Sequence, residues 1–166
     1  MENILYAPWR DEYIAGEKMQ GCVFCHVSSH VELDDEHHVL YRDEHCFIVM
    51  NKYPYTPGHF MIIPNFHTDK LEELDAEIWL HMSALAQKCV RLLKEGFEAQ
   101  GVNIGMNLGK AAGAGIAEHI HMHLLPRWER DTNFITSIAT TRVYSTDFEK
   151  IYEKIKSLIP KYLGDD

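Results

Sequence analysis

The stretch "HIHMHLL" (119–125) constrains the fold of this chain more than any other, because histidine alternates strictly with apolar residues. Successive side chains of a β-strand point to opposite faces. The pattern therefore predicts a strand with His119, His121 and His123 on one face and an apolar core on the other. Same-face neighbours on a strand lie roughly 6.5–7 Å apart. Three adjacent imidazoles are costly to bury unless their nitrogens have partners, which favours a chemical site over three structural histidines.

Other short apolar runs predict the sheet that this strand would join. They are "HVLYR" (38–42) and "CFIVM" (46–50) around the charged turn "DEH", "GHFMIIP" (58–64) and "VNIGMN" (102–107). The first two predict a hairpin, and the third follows a Pro-Gly pair and ends at a proline.

Two segments repeat apolar residues at the 3.6-residue period of a helix. The first, about 75–97, predicts one long amphipathic helix. The second predicts a C-terminal helix over about 146–162, which begins at a capping box formed by Thr146 and Glu149. This order of elements predicts an α+β fold on a mainly antiparallel sheet, with one long central helix and a C-terminal helix.

The overall composition limits the partners and the location of the protein. A length of 166 residues predicts a single domain over 1–166. The net charge of −9 argues against a general nucleic-acid surface, and no apolar run approaches the roughly 20 residues of a membrane span. Four cysteines without an export signal predict reduced thiols. We therefore expect a cytoplasmic protein that binds neither nucleic acid nor membranes.

The histidine strand has two chemical interpretations, which can coexist. Histidines on one strand face can chelate zinc. Alternatively, one imidazole attacks phosphorus while its neighbours orient it, since neutral imidazole keeps a lone pair free near pH 7. Glycines at 105, 109, 113 and 115 directly precede the histidines and are typical of a phosphate-binding loop. The run "GMNLGKA" is not a P-loop, because it is one residue short and has alanine after the lysine.

These stretches resemble the histidine triad (HIT) family. "HIHMHLL" matches the family pattern His-apolar-His-apolar-His-apolar-apolar, and "NKYPYTPGHFMIIPNFH" (51–67) resembles its second characteristic stretch. The resemblance runs from about Leu5 to Arg142. It is greatest to the bacterial members that resemble diadenosine tetraphosphate phosphorylases, through "APWR", a CxxC, "NLG", "AEH" and "PRW…NFI".

The resemblance implies a HIT-like fold, a homodimer, and cleavage or transfer at the α-phosphorus through a covalent nucleotidyl-histidine. His121 matches the nucleophile, and the substrate would carry an AMP moiety, as in a diadenosine polyphosphate. The other matching positions are His123 and Asn107 at the phosphate, Gly113, Ala114 and Gly115 in the phosphate-binding loop, Asn51 at the ribose, and apolar residues such as Phe47 and Ile48 beside the base.

The run "GCVFCH" places Cys22 and Cys25 at the spacing of a metal-binding pair. The resemblance to zinc-bearing members of the superfamily implies two further ligands, which fall on His67 and His119. Together the four would form a closed Cys₂His₂ set, hence a structural Zn²⁺ held by an N-terminal zinc-knuckle segment of about 20–30.

Three rival functions fit parts of the same pattern. A nucleoside phosphoramidase would use His121 on a phosphorus–nitrogen bond. A regulatory module would bind a nucleotide in the same pocket without turnover. A metallohydrolase would place a catalytic metal on the three histidines, but no carboxylate ligand follows them and the CxxC pair offers a better metal site.

Overall fold

The histidine segment runs into one of five short strands that form a single sheet. The structure is a computed structural model, which describes residues 21–129, 131 and 146–164. The strands are β1 (Val39–Arg42), β2 (Cys46–Met50), β3 (Phe60–Pro64), β4 (Gly101–Gly105) and β5 (Met122–Arg127), in the order β1-β2-β3-β5-β4. Every neighbouring pair is antiparallel, which confirms the predicted sheet.

Three α-helices accompany the sheet in the part of the chain that the structure describes. They are α1 (Val23–Ser29), α2 (Ala76–Arg91) and α3 (Phe148–Leu163), and a π-helical turn over Leu92–Gly96 extends α2. The first turn of α2 is capped by Asp75, whose carboxylate accepts a hydrogen bond from the Glu77 amide at 2.7 Å. The predicted long central helix and C-terminal helix are both present, and the fold is α+β.

The central strands bury both faces, which explains why they read as continuous apolar runs. Helices α2 and α3 cover one face, where Ile48, Ile62 and Leu124 pack with Met82 and Ile155. Helix α1 covers the other face. There, Phe24 and Val27 of α1 form a second apolar cluster with residues of the sheet. These residues are Val39, Phe47, Val49, Met61 and Ile63.

The prediction that Phe47 and Ile48 flank a base is wrong. Consecutive residues of β2 point to opposite faces, so Phe47 packs under α1 and Ile48 packs under α2 and α3. Both residues are 0% exposed, so neither can line an open pocket.

The N-cap of α3 is Asp147, and the predicted capping box at Thr146 is wrong. The Asp147 carboxylate accepts hydrogen bonds from the amides of Glu149 and Lys150 at 3.0 and 3.4 Å. An aspartate at this position satisfies two helix N–H groups and carries the charge that a helix N-terminus favours.

Strand β5 begins at Met122, so His119 and His121 precede the paired part of the strand that sequence predicted for 119–125. The reason is a pair of hydrogen bonds to the last residue of β3 and to the loop that follows it. The Ile120 amide donates to the Thr68 carbonyl at 2.8 Å, and His119 Nε2 donates to the Pro64 carbonyl at 2.9 Å. The sheet ladder therefore starts only beyond these bonds.

Two of the stretches behind the family resemblance, 7–10 and 133–135, lie outside the described residues. Among the helices of the described ranges, none combines the length and the apolar content needed to cross a membrane.

Candidate active site and metal centre

The three histidines at the start of β5 form a buried row beneath α1. His119, His121 and His123 are 0%, 5% and 7% exposed. The residues between them, Ile120 and Met122, belong to the core under α2 and α3. The rings of His121 and His123 lie 4.8 Å apart and nearly perpendicular. The alternation thus separates a histidine side from a core side, although only part of the segment is paired as a strand.

A main-chain carbonyl fixes the tautomer of His121. The Nδ1 atom lies 2.8 Å from the carbonyl oxygen of His119. Because a carbonyl only accepts hydrogen bonds, Nδ1 carries the proton and Nε2 keeps its lone pair. Burial lowers the pKa of His121, and the hydrogen bond to the carbonyl opposes that shift. His121 is therefore a neutral imidazole with an available nitrogen, the state in which imidazole is a nucleophile.

A second chain of hydrogen bonds fixes the tautomer of His123. The Tyr55 amide donates to His59 Nδ1 at 3.2 Å, so His59 carries its proton on Nε2. His59 Nε2 then donates to His123 Nδ1 at 2.9 Å, which leaves His123 with its proton on Nε2. Nε2 of His123, which His59 does not contact, is therefore a hydrogen-bond donor. This arrangement suits a group that must protonate or stabilise a departing oxygen.

The His59–His123 pair is neutral over the ordinary pH range. Burial, with the neighbouring rings of His123 and His121, lowers the pKa of His59 to about 3. Burial and His121 lower the pKa of His123 to about 4. The sequence analysis did not place His59 at the site. The sequence signal near His59 is the stretch "PGH". Gly58 of this stretch has a φ of +81°, which favours glycine, and a side chain there would meet Phe97 at 2.7 Å.

The four predicted metal ligands meet at one place beside this row. The donor atoms of Cys22, Cys25, His67 and His119 all lie within 4.8 Å of one another. His119 Nδ1 is 3.4 Å from Cys22 Sγ and 3.7 Å from Cys25 Sγ, and His67 Nδ1 is 3.2 Å from Cys25 Sγ. A tetrahedral zinc separates a sulfur ligand from a nitrogen ligand by roughly 3.6 Å. The set has the dimensions and chemistry of a structural zinc site.

His119 is oriented for metal binding by its second nitrogen. Since Nε2 donates to the Pro64 carbonyl, Nδ1 is unprotonated and points towards the two sulfurs. Burial, a hydrogen bond to Cys22 and the charges of Cys22 and Glu118 raise the pKa of the Cys25 thiol to about 11. Two thiolates at this place therefore need a bound cation to compensate their charge.

A second group of possible ligands, Asp43, Cys46 and His81, is already satisfied without metal. The carboxylate of Asp43 accepts hydrogen bonds from the amides of His45 and Cys46, and its other oxygen bonds to His81 Nε2 at 2.7 Å. Burial and Asp43 raise the pKa of the Cys46 thiol to about 12. These bonds close the β1–β2 turn.

The glycine-rich loop between β4 and β5 is open to solvent. Gly109 and Gly113 have φ values of +80° and +91° on either side of a single 3₁₀ turn over Lys110–Ala112. Gly113 and Gly115 are exposed, as a ligand-binding loop requires. The Ala114 amide, expected to face a phosphate, donates within the loop to the Gly109 carbonyl at 3.3 Å.

The two predicted asparagines occupy different surroundings. Asn51 follows β2 and is half-buried. Its Oδ1 accepts a hydrogen bond from the Tyr53 amide at 2.9 Å, and its Nδ2 lies 3.3 Å from His59 Nδ1. Asn107 is half-buried in the loop after β4. The structure therefore brings Asn51 to the histidine row through His59.

The fold and the site together define an α+β protein with a buried histidine row and an adjoining Cys₂His₂ set. Comparison with known families gives the same class, since the HIT domain matches residues 32–130. The chain belongs to the HIT domain family.

Individual relatives extend this assignment. AP-4-A phosphorylase of Mycobacterium tuberculosis is 41% identical over 110 residues, which cover 66% of this chain and 56% of that protein. The chain thus spans little more than half the length of that relative. Adenosine 5'-monophosphoramidase of Saccharomyces cerevisiae is 25% identical over 173 residues and aligns over 100% of both chains. A zinc-bound histidine triad family protein from Mycobacterium smegmatis has a TM-score of 0.69 at 31% identity, covering 85% of this chain and 94% of that one.

Proposed function

We propose that this protein is a nucleotide-processing enzyme that acts at the α-phosphorus of a diadenosine polyphosphate, such as diadenosine tetraphosphate. The observation that carries the proposal is the pair of fixed tautomers, with a lone pair on His121 Nε2 and a proton on His123 Nε2. In-line displacement at phosphorus needs a nucleophile on one side and a donor to the departing oxygen on the other. The AP-4-A phosphorylase relative supports the choice of substrate.

The reaction has two steps. His121 Nε2 forms a bond to the α-phosphorus, and the bond from that phosphorus to the bridging oxygen breaks with its electron pair on the leaving nucleotide. His123 Nε2–H donates to the departing oxygen. The adenylyl group on His121 then passes either to orthophosphate, giving ADP, or to water, giving AMP. The hydrogen bond from Nδ1 to the His119 carbonyl stabilises the positive charge that develops on the His121 ring.

The remaining predicted contacts complete the binding site. Asn51 holds the ribose hydroxyls, which requires its amide to exchange its present bonds within the 51–59 loop for bonds to the sugar. Asn107 and the segment 113–115 bind the phosphate. The exposed glycines of that segment let a phosphate approach the main chain closely.

Cys22, Cys25, His67 and His119 hold a structural Zn²⁺ in this proposal. Four protein ligands leave no open coordination position, so the ion would fix the chain and take no part in the phosphoryl chemistry. The zinc-bound relative from Mycobacterium smegmatis supports the assignment. Such a site needs reduced thiols, which is consistent with a cytoplasmic protein.

The edge of the sheet supports a homodimer. Within the described residues, β4 pairs only with β5, and its outer edge carries Ile104 at 49% exposure. Beside this edge lies a groove of about 450 Å³, whose lining includes Trp79, Ala86, Val90 and Met122. The unpaired N–H and C=O groups of an exposed edge strand can hydrogen-bond to a strand of another chain. A second copy of this chain would therefore extend the sheet.

One specific observation favours a second candidate, a nucleoside phosphoramidase. The phosphoramidase of Saccharomyces cerevisiae aligns over its whole length, whereas the phosphorylase relative aligns over 56%. That reaction would use the same His121 and place His123 opposite a departing nitrogen. A nucleotide-binding module without turnover would use the same pocket.

Product analysis tests the proposal. The protein is incubated with diadenosine tetraphosphate with and without orthophosphate, beside His121→Ala and the surface control His45→Ala. ADP and ATP formed only with orthophosphate indicate phosphorolysis, whereas AMP and ATP in both buffers indicate hydrolysis. Undiminished turnover by His121→Ala would overturn the assignment of the nucleophile. Turnover of adenosine phosphoramidate alone would replace the proposed function by the second candidate.

A further inference from the structure

An exposed tyrosine stands next to the buried histidine row. Tyr55 is 58% exposed, although Thr56 and His59, which follow it, are firmly anchored. Thr56 is 2% exposed and donates through Oγ1 to the Pro126 carbonyl at 3.2 Å, and His59 is 0% exposed. Pro54 and Pro57 further restrict the backbone of this loop. The loop therefore presents a large aromatic ring to solvent at little cost in conformational entropy.

The position of the Tyr55 ring relative to His59 and His123 is defined. The ring centroid of Tyr55 lies 4.8 Å from that of His59 and 6.0 Å from that of His123, with tilts of 40° and 34°. His121 has a different neighbour, Phe24 of α1, at 5.1 Å. Tyr55 is thus associated with the His123 side of the row and Phe24 with the His121 side.

We propose that Tyr55 is the stacking platform for the aromatic base of the leaving nucleotide, an inference that rests on the proposed function. His123 faces the departing oxygen, so the rest of the leaving group extends from the His123 side of the site. An anchored and exposed aromatic ring beside that exit is the type of surface on which a purine stacks. Tyr55 would then distinguish a dinucleotide from a substrate whose leaving group lacks a base.

The main chain and the side chain of Tyr55 can be tested separately. Its amide holds His59 through the 3.2 Å hydrogen bond, and any substitution except proline keeps that amide. Replacement of the ring therefore leaves the hydrogen-bond chain from residue 55 to His123 in place. The informative variants are Tyr55→Ala and Tyr55→Leu, which lack an aromatic face, and Tyr55→Phe, which keeps one.

The experiment compares two substrates that differ only in the distal base. One is diadenosine tetraphosphate, and the other is the analogue in which the second adenosine is replaced by ribose. For wild-type protein we expect kcat/KM to be higher with the distal base. Tyr55→Ala and Tyr55→Leu should lower kcat/KM for the dinucleotide by roughly ten- to a hundredfold, the usual effect of losing one stacked base. Both variants should lower kcat/KM for the ribosyl analogue by a clearly smaller factor than for the dinucleotide, and Tyr55→Phe should resemble wild type on both.

Other outcomes overturn the proposal. An equal loss on both substrates would show that Tyr55 supports the histidines and does not contact the distal base. Equal wild-type kcat/KM for the two substrates would show that the distal base is not recognised. In both cases the wild-type turnover leaves the proposed function standing. No wild-type turnover of either substrate would overturn the proposed function and, with it, this inference.

Discussion

At the scale of single residues, the two histidines of the proposed reaction are oriented without a carboxylate. His121 bonds to a peptide carbonyl, and the chain through His59 to His123 begins at a peptide N–H. Many enzymes orient a histidine with a carboxylate, which adds a negative charge to the site. Peptide groups orient the rings without that charge. In the proposed function, neutral imidazoles therefore lie beside an anionic substrate.

His59 is predicted to be a positioning residue for His123. In His59→Ala, His123 Nδ1 loses its donor, and both tautomers of the ring become accessible. We expect the rate of adenylyl transfer to fall by roughly tenfold or more, the equivalent of one hydrogen bond of about 1.4 kcal/mol. The measurement is the single-turnover rate with diadenosine tetraphosphate, beside AMP affinity by calorimetry. A fall in affinity without a fall in the single-turnover rate would contradict this role.

The burial of His59 predicts a loss of stability in acid. Its pKa falls from a normal value near 6.5 in the unfolded chain to about 3 in the folded protein. The unfolded state therefore binds more protons below pH 6.5, so stability is full above pH 6.5 and is lost as the pH falls towards 3. Lowering the pH to 5 should cost the wild type about 2 kcal/mol through this residue. Urea unfolding of wild type and His59→Asn at pH 7 and pH 5 measures this loss. The difference in free energy of unfolding between the two proteins should be smaller at pH 5 than at pH 7. An equal difference at both pH values would refute the prediction.

At the scale of elements, α1 depends on its neighbours. A helix of 7 residues is too short to be stable alone. Phe24 and Val27 hold it against the sheet, and of the four proposed metal ligands Cys22 is its N-cap and Cys25 lies in its first turn. The Phe24 ring also contacts the rings of His119 and His121, at 5.7 and 5.1 Å. The metal centre and the nucleophile therefore share one structural support.

Loss of metal should destabilise this region. We expect Cys25→Ser to remove bound zinc, to lower the free energy of unfolding by about 3 kcal/mol and to lower Tm by roughly 6–12 °C. Metal analysis and thermal unfolding measure both effects. Cys89→Ser is the control for zinc content, because Cys89 is a fully buried core thiol outside the metal set. If Cys25→Ser kept stoichiometric zinc, the proposed ligand set would be wrong.

Sequence patterns predicted the elements better than their ends. Apolar runs identified all five strands, and the 3.6-residue period identified α2 and α3, because burial of side chains decides both. The start of β5 depends on hydrogen bonds to Pro64 and Thr68, which come from a distant part of the chain. The role of His59 was missed for the same reason, since its partner His123 is 64 residues away. Pattern reasoning cannot place such contacts without a fold.

At the scale of the whole molecule, the sheet separates three tasks. One face carries the core under α2 and α3, the other carries the histidine row under α1, and the outer edge of β4 is the proposed dimer interface. The exposed Ile104 lies on that edge. A partner on β4 would therefore extend the sheet without covering either face.

Ile104→Asp should convert a dimer into a monomer. A charge on the apolar edge would be buried unpaired in the dimer, which is far more costly than the loss of one apolar contact. Light scattering coupled to gel filtration gives the mass directly. Val31→Asp is the control, since Val31 is 56% exposed on a different part of the surface. A monomeric wild-type protein, or a dimeric Ile104→Asp variant, would exclude this interface.

His119 would give the proposed metal its ring, and it gives His121, the proposed nucleophile, its peptide oxygen. These two contributions differ in how easily evolution can remove them. A single base change in the codon deletes the imidazole, whereas every amino acid supplies a carbonyl at that position. A lineage descended from such a chain can therefore lose its metal centre by point mutation and still retain the acceptor that orients His121. The proposed metal site depends on the side chain at position 119, whereas the acceptor that orients His121 depends only on the main chain there.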